Sequence, residues 1–169
     1  MARHEAPRAP LGDGSAFRFA LVVSRFNEEI TGSLRDAAVR ALREAGAGQA
    51  NVLVFDVPGA YEIPQAARAA AETGNFDAIV CLGCVIRGET PHFDYISSAV
   101  AHGITAAAGE TGVPMAFGVL TTNTLEQAQA RAGNDDDNKG REAAAAAIEM
   151  AVLYKRFASL PARAAGFRA

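Results

Sequence analysis

Ala78-Ile79-Val80-Cys81-Leu82-Gly83-Cys84-Val85-Ile86 is a continuous apolar run with no polar residue at alternate positions. A strand with one wet face alternates; a run like this one reads as a strand covered on both faces, which is the condition of a parallel sheet flanked by its crossover helices. The strand is expected over Asp77 to Ile86 and is followed by a helical stretch, Phe93 to Glu110. Upstream, Phe17 to Val23 is a second buried-type strand, followed by Thr31 to Ala45, where Leu34, Ala37, Ala38, Ala41, Leu42 and Ala45 keep the i, i+3, i+4 spacing of an amphipathic helix closed by Gly46. Val52 to Val57 is a strand stopped by Pro58-Gly59, and Ile63 to Thr73 is helical. Downstream, Val113 to Leu120 makes a fourth strand, Leu125 to Ala132 a short helix, and Arg141 to Phe157, with its run Ala143 to Ala147, a long helix of high propensity. Four strands, each apolar and each followed by a helix, predict an α/β fold: a three-layer α/β/α sandwich around a four-stranded parallel sheet buried on both faces, with right-handed crossovers.

The chain has 169 residues, of which 50% are hydrophobic and 21% charged, with a formal net charge of -3. That length suits one compact domain, and a chain of this size buries roughly 68–70% of its extended surface without help from disulfides or a structural metal. The single domain is expected over residues 16–158. Residues 1–15 scatter Pro7, Pro10, Gly12 and Gly14 among charges with no period, and residues 159–169 are Ala/Arg-rich, so both ends read as flexible tails. With a pI near 5.6 and no dense Lys/Arg run, the sequence offers no footprint for nucleic acid or an acidic membrane. No stretch approaches the ~20 apolar residues of a membrane span and Met1 to Pro10 has no apolar signal core, so a cytoplasmic location is expected.

Cys81 and Cys84 have the C-x-x-C spacing of redox and zinc sites. On a strand their Cα atoms stand roughly 10 Å apart, beyond disulfide reach. No second cysteine pair exists, and His92 and His102 project from different faces of one helix, so no metal is expected. Both thiols read as buried strand residues.

In a parallel sheet, ligands bind beyond the carboxyl ends of the strands. The segments there are Ser24-Arg25-Phe26-Asn27, Pro58-Gly59-Ala60-Tyr61-Glu62, Arg87-Gly88-Glu89-Thr90-Pro91-His92 and Thr121-Thr122-Asn123. An aromatic, a carboxylate, an Arg and a His at one end of a sheet suit a pocket for a polar planar ligand. Gly83 to Thr90 has the spacing of a P-loop, but Glu89 stands where Lys must reach the outer phosphates, which argues against a nucleoside triphosphatase. The backbone part survives: Gly88, Glu89 and Thr90 lead into a helix beginning near His92, whose amides and dipole suit one phosphate. The G-x-S-x-G, G-x-G-x-x-G and H-E-x-x-H motifs are missing, so hydrolase, dehydrogenase and metalloprotease readings lose their main support.

Five blocks carry a resemblance. Ser24-Arg25-Phe26-Asn27; Pro58-Gly59-Ala60-Tyr61-Glu62-Ile63-Pro64; Gly83-Cys84-Val85-Ile86-Arg87-Gly88-Glu89-Thr90-Pro91-His92-Phe93-Asp94-Tyr95; Phe117-Gly118-Val119-Leu120-Thr121-Thr122; and Arg131-Ala132-Gly133 with Asn138-Lys139-Gly140 stand in the order and spacing of the lumazine synthase family. The chain resembles that family from Phe17 to about Phe157. The resemblance implies a flavodoxin-like sheet and the penultimate step of riboflavin synthesis, the condensation of 5-amino-6-ribitylaminopyrimidinedione with dihydroxybutanone phosphate to 6,7-dimethyl-8-ribityllumazine. It implies no cofactor and no metal.

By similarity, Phe26 stacks on the pyrimidine with Asn27 beside it, Ala60, Tyr61 and Glu62 bind the ribityl chain, and Cys84, Val85 and Ile86 line the heterocycle. An aromatic just past a buried strand can offer its face to a heteroaromatic ring, which adds about 0.5–1.5 kcal/mol beyond area burial. His92 corresponds to the proton-transfer residue; imidazole moves protons both ways near neutral pH, as imine formation and phosphate elimination require. Holding the two reactants together supplies much of the remaining acceleration. Gly88, Glu89, Thr90 and Arg131 correspond to the phosphate site, Phe117 to the aromatic that closes the pocket, and Lys139 to a further cation, the last three residues being contributed by a neighbouring subunit. Taken alone, Arg131 on a short helix reads as a solvated residue and Phe117 as core. His102 reads as structural.

The resemblance therefore implies a homo-oligomer with sites at subunit interfaces, and riboflavin synthase as a candidate partner. One departure bears on assembly: Asn134-Asp135-Asp136-Asp137 stands where shell-forming members usually carry a Gly- and Lys-containing turn. Like charges gathered near a symmetry axis repel, so a pentamer or paired pentamers is expected in preference to an icosahedral shell. Two other readings differ in class. A non-catalytic lumazine- or flavin-binding or storage paralogue would tolerate loss of His92 and Arg131, and both are present. A receiver-like signalling domain needs acidic residues after the first strand and a phospho-acceptor Asp after the third, where Ser24-Arg25 and Arg87-Gly88 stand instead.

Overall fold

Every residue of β1 (Phe19–Ser24) is buried, as are the first seven of β3 (Ala78–Ile86). They pair with each other in the middle of a sheet whose order is β2-β1-β3-β4, all parallel, with β2 (Val52–Val57) and β4 (Met115–Thr122) at the edges. The computed structural model describes residues 10–162. Because side chains alternate across a strand, Leu21, Val23, Val80 and Leu82 enter one core and Ala20, Val22, Ile79 and Cys81 the other. The first core is covered by α1 (Glu28–Glu44) and α5 (Lys139–Ala158), the second by α2 (Ile63–Glu72) and α3 (His92–Thr111). The result is the three-layer flavodoxin-like sandwich that the strand count predicts. Among the described residues no helix is long and apolar enough to cross a membrane.

Two strands depart from the expectation. β2 is not buried on both faces: it pairs only with β1, and Val54, Phe55 and Asp56 are exposed. Its apolar sequence reflects an edge strand, with Phe55 packed edge-to-face on Phe76, rather than an interior one. β4 runs on to Thr122, because the long β3 gives Thr121 and Thr122 backbone partners at Val85 and Ile86 after the apolar pattern has ended. Of the expected tails, residues 1–9 and 163–169 lie outside the described residues. Within them, Leu11 packs against the core under α1 and α5, and the Gly14 N–H donates to the Ala45 carbonyl (2.7 Å).

The start of α5 is fixed by two small features. Asn138 is fully buried; its side-chain oxygen accepts from the Gly140 N–H (2.8 Å), capping the helix, while its amide donates to the Gly133 carbonyl (2.8 Å). Gly140 lets α5 approach α1 so closely that a Cβ there would run into the Leu34 carbonyl. This contact positions Lys139 and Glu142 beside β4.

Candidate active site

The strand order reverses between β1 and β3, and the ends of these two strands are tied together there. Asn27 takes a left-handed conformation (φ 60, ψ 50), which asparagine tolerates better than bulky residues. Its amide donates to the Cys84 carbonyl (3.0 Å), and its own carbonyl accepts from the N–H groups of Ile30 and Thr31 at the start of α1. The side chain expected beside the pyrimidine thus has a structural engagement of its own. The abrupt turn leaves Phe26 71% exposed, with its ring free for an external partner.

Beyond β2, a single 3-10 turn over Ala60–Glu62 leads into α2. Ala60 is buried, Glu62 half-buried and Tyr61 exposed. A Cβ on Gly59 would lie 3.2 Å from the Glu62 carboxylate, so glycine leaves room for that side chain over the turn. At the end of β3, Cys84 is buried and Val85 and Ile86 are half-buried. Burial pushes the Cys81 thiol up to about 12 and the Cys84 thiol up to about 11, so both are neutral apolar lining. Gly88, Glu89 and Thr90 are exposed, and among the described residues their N–H groups donate no hydrogen bond to the protein. These amides precede His92, the exposed first residue of α3, and are available to an anion at the helix start.

Arg87, between β3 and this loop, has a role that the sequence reading did not assign. It forms a two-pronged ion pair with Asp94 (2.8 and 3.1 Å), and the pairing raises the arginine above and holds the carboxyl below their ordinary ranges. Its Nε donates to Asn123 Oδ1 (3.0 Å), and its guanidinium lies 4.2 Å from the Phe93 ring centroid.

A second group lies on the outer side of β4. A cleft of about 310 Å³ there is lined by Phe117, Thr121, Arg131, Lys139 and Glu142 among others. Phe117 is 47% exposed rather than core. α4 (Leu125–Gln129) ends earlier than expected, so Arg131 occupies the following turn, where its guanidinium donates to the Gln127 carbonyl (2.9 Å) and its carbonyl accepts from the Lys139 N–H (2.8 Å). The Lys139 ammonium is paired with the Glu142 carboxylate. Glu142 was missed in the sequence, although its i, i+3 spacing from Lys139 places both on one face of α5.

The two groups occupy different parts of the sheet. Phe117 is level with Cys81, five residues short of the strand end at Thr122, about 16 Å down the strand at ~3.3 Å per residue. Phe26, Ala60, Tyr61, Glu62, Val85, Ile86 and His92 cluster at the carboxyl edge; Phe117, Arg131 and Lys139 cluster along the β4 edge. Within the acidic run, Asp136 is turned to Arg141 (3.6 Å), which also pairs with Glu44 (2.7 Å).

Fold and geometry together define an open-sheet α/β protein whose strand switch point is flanked by an exposed aromatic, an exposed imidazole at a helix start and loop amides without a protein partner among the described residues. The family model for 6,7-dimethyl-8-ribityllumazine synthase matches residues 16–155. A protein of that name from Salinibacter ruber is 55% identical over 139 residues, covering 82% of this chain and 89% of the relative. One from Chlorobium luteolum is 50% identical over 138 residues, with the same coverage. The chain belongs to the 6,7-dimethyl-8-ribityllumazine synthase family.

Proposed function

We propose that the protein is the transferase that condenses 5-amino-6-(D-ribitylamino)uracil with 3,4-dihydroxy-2-butanone 4-phosphate to 6,7-dimethyl-8-ribityllumazine. Atom balance between these substrates and the product requires release of inorganic phosphate and two waters. The amine attacks the ketone to give an imine with loss of water, phosphate leaves, and the ribityl-bearing nitrogen closes the ring with loss of the second water. Phe26 offers its face to the pyrimidine, and Tyr61 and Glu62 stand where the ribityl hydroxyls need partners. The free amides of Gly88, Glu89 and Thr90 receive the phosphate. His92, at the start of the same helix, moves protons between the amine, the departing water and the departing phosphate. Most of the acceleration comes from holding both reactants in one orientation.

The observation that carries this reading is the division of the site residues. Phe117 lies about 16 Å down β4 from the strand end at ~3.3 Å per residue and lines one cleft with Arg131 and Lys139, which supports a second copy placing its β4 edge over the carboxyl edge of the first to complete the pocket. A cyclic pentamer, or two paired, gives every subunit one such neighbour on each side. Mixing purified protein with both substrates and following lumazine absorbance tests the reaction; binding of lumazine without turnover would favour the storage reading instead. Sedimentation velocity at low and high salt tests the assembly. Ring-sized species at both salts are expected, and a dominant shell-sized species at low salt refutes a block by Asp135, Asp136 and Asp137.

A further inference from the structure

Arg87 makes four kinds of contact from one position, and none is with a group assigned to substrate. Its backbone N–H donates to the Thr122 carbonyl (2.9 Å). Its Nε donates to Asn123 just past β4, its two terminal nitrogens grip Asp94 in the first turn of α3, and Phe93 packs against its flat face. The residues between these anchors, Gly88 to Pro91, are all exposed, and the amides of Gly88, Glu89 and Thr90 have no protein partner among the described residues. The loop that carries the anion-binding amides and delivers His92 is therefore held from its two ends.

We infer that Arg87 is a positioning residue: by clamping the first turn of α3 to the end of β4, it sets the Gly88-Glu89-Thr90 amides and the His92 ring at the height the condensation needs. The inference rests on the proposed function for the role of those groups, but the clamp itself is independent of it. Three of the five guanidinium N–H donors are committed to protein acceptors, and one face is occupied by Phe93, which leaves Arg87 poorly placed to serve as a phosphate ligand itself. The Arg87 and Asp94 side chains are 42% and 59% exposed, so the pair adds little to global stability. What it controls is geometry, and a displacement of about 1 Å at a reacting group can cost on the order of a hundredfold in rate. Lysine, a point charge on a flexible stem, cannot hold Asp94 and Asn123 in one plane while stacking on Phe93.

Steady-state kinetics with each substrate varied in turn, together with thermal midpoints, separate this role from a structural one. Arg87→Gln should lower kcat by about tenfold or more and raise KM for the four-carbon phosphate, with KM for the pyrimidine changed less than about twofold. Asp94→Asn should give the same pattern, the double variant should be no worse than either single one, and Arg87→Lys should not restore the rate. Thermal midpoints should stay near that of the unaltered protein. Equal loss toward both substrates, rescue by lysine, or kinetics unchanged in a protein that does condense each overturns the inference. If the unaltered protein makes no lumazine, the function reading fails; the clamp is then judged by amide hydrogen exchange in the first turn of α3, which should quicken in Arg87→Gln. Unchanged exchange there overturns it.

Discussion

The Gly140→Ala substitution places a methyl group where α5 meets α1 and tests how the β4-side half of the site is held. An ideal Cβ at this position runs into the Leu34 carbonyl oxygen and lies 2.6 Å from its carbon and 2.7 Å from the Leu34 Cα. Ordinary carbon contacts are about 3.5–4.0 Å, and these are backbone atoms of a helix, so no rotamer change relieves them. The helices must part by about 1 Å, loosening Leu34, Ala38 and Ala41 against Ala144, Ala147 and Ile148, all of them buried. Overpacking costs typically 1–3 kcal/mol, and a backbone clash belongs at the upper end of that range. Alanine's better helix propensity returns about 1 kcal/mol. The expected net loss is about 2 kcal/mol, a fall of roughly 4–8 °C in midpoint for a chain of this size. Gly109→Ala in α3 is the internal control, since a Cβ there meets nothing within 4 Å and should stabilise by about 0.5–1 kcal/mol. Thermal unfolding at one fixed protein concentration measures both, because an oligomer's midpoint depends on concentration. A Gly140→Ala protein that melts with or above the unaltered protein would falsify the close-approach argument. In the expected case kcat/KM also falls, because Lys139 and Glu142 move with the start of α5 relative to Arg131.

Three further outcomes follow from the site. Arg131→Ala should raise KM for the phosphate-bearing substrate by about ten- to hundredfold with a smaller effect on the pyrimidine, since a charge-assisted contact to an anion is lost selectively; equal effects on both in steady-state kinetics remove Arg131 from the phosphate site. Phe26→Ala and Phe117→Ala should each be nearly inactive alone, yet regain part of the activity when the two chains are unfolded and refolded together, because mixed rings contain pockets with both aromatics; no recovery argues that the two residues serve the same chain's pocket. The cysteines should resist a thiol reagent in the folded protein: with thiols pushed up to about 12 and about 11, the thiolate fraction at pH 8 is on the order of one in ten thousand for Cys81 and one in a thousand for Cys84. Reactivity rises as pH approaches those values or on unfolding, and rapid stoichiometric labelling of native protein at pH 8 contradicts the burial that raises them.

What the sequence made legible divides along physical lines. Ala78–Ile86 is readable because burial on both faces leaves an unbroken apolar record, and α1 because its single buried stripe imposes a helical period. Val52–Val57 has the same apolar composition but lies at an edge, so its exposure depends on which strand it pairs with, a fact recorded in the topology rather than in its own residues. Thr121 and Thr122 read as loop because they are polar, yet a strand ends where its backbone partner ends. The carboxyl-edge residues were found because the parallel-sheet rule states where to look, while their individual roles came from resemblance. Arg87 escaped notice for a different reason: its partners lie seven residues ahead on α3 and thirty-six residues ahead past β4, and nothing local marks such a junction.

The β4-side residues show the limit most directly. Phe117 in an apolar strand and Arg131 after a short helix carry the sequence signatures of a core residue and a solvated one, and in the single chain neither description holds: the ring is half-exposed, and the arginine borders a cleft with a lysine and a glutamate. A half-exposed aromatic that lines a cleft with two cations has a face and charges to offer a ligand or a partner. In the proposed ring another copy of the chain brings Phe26 and His92 up to it, and on that proposal the ring of subunits, rather than the subunit, is the unit on which these residues act.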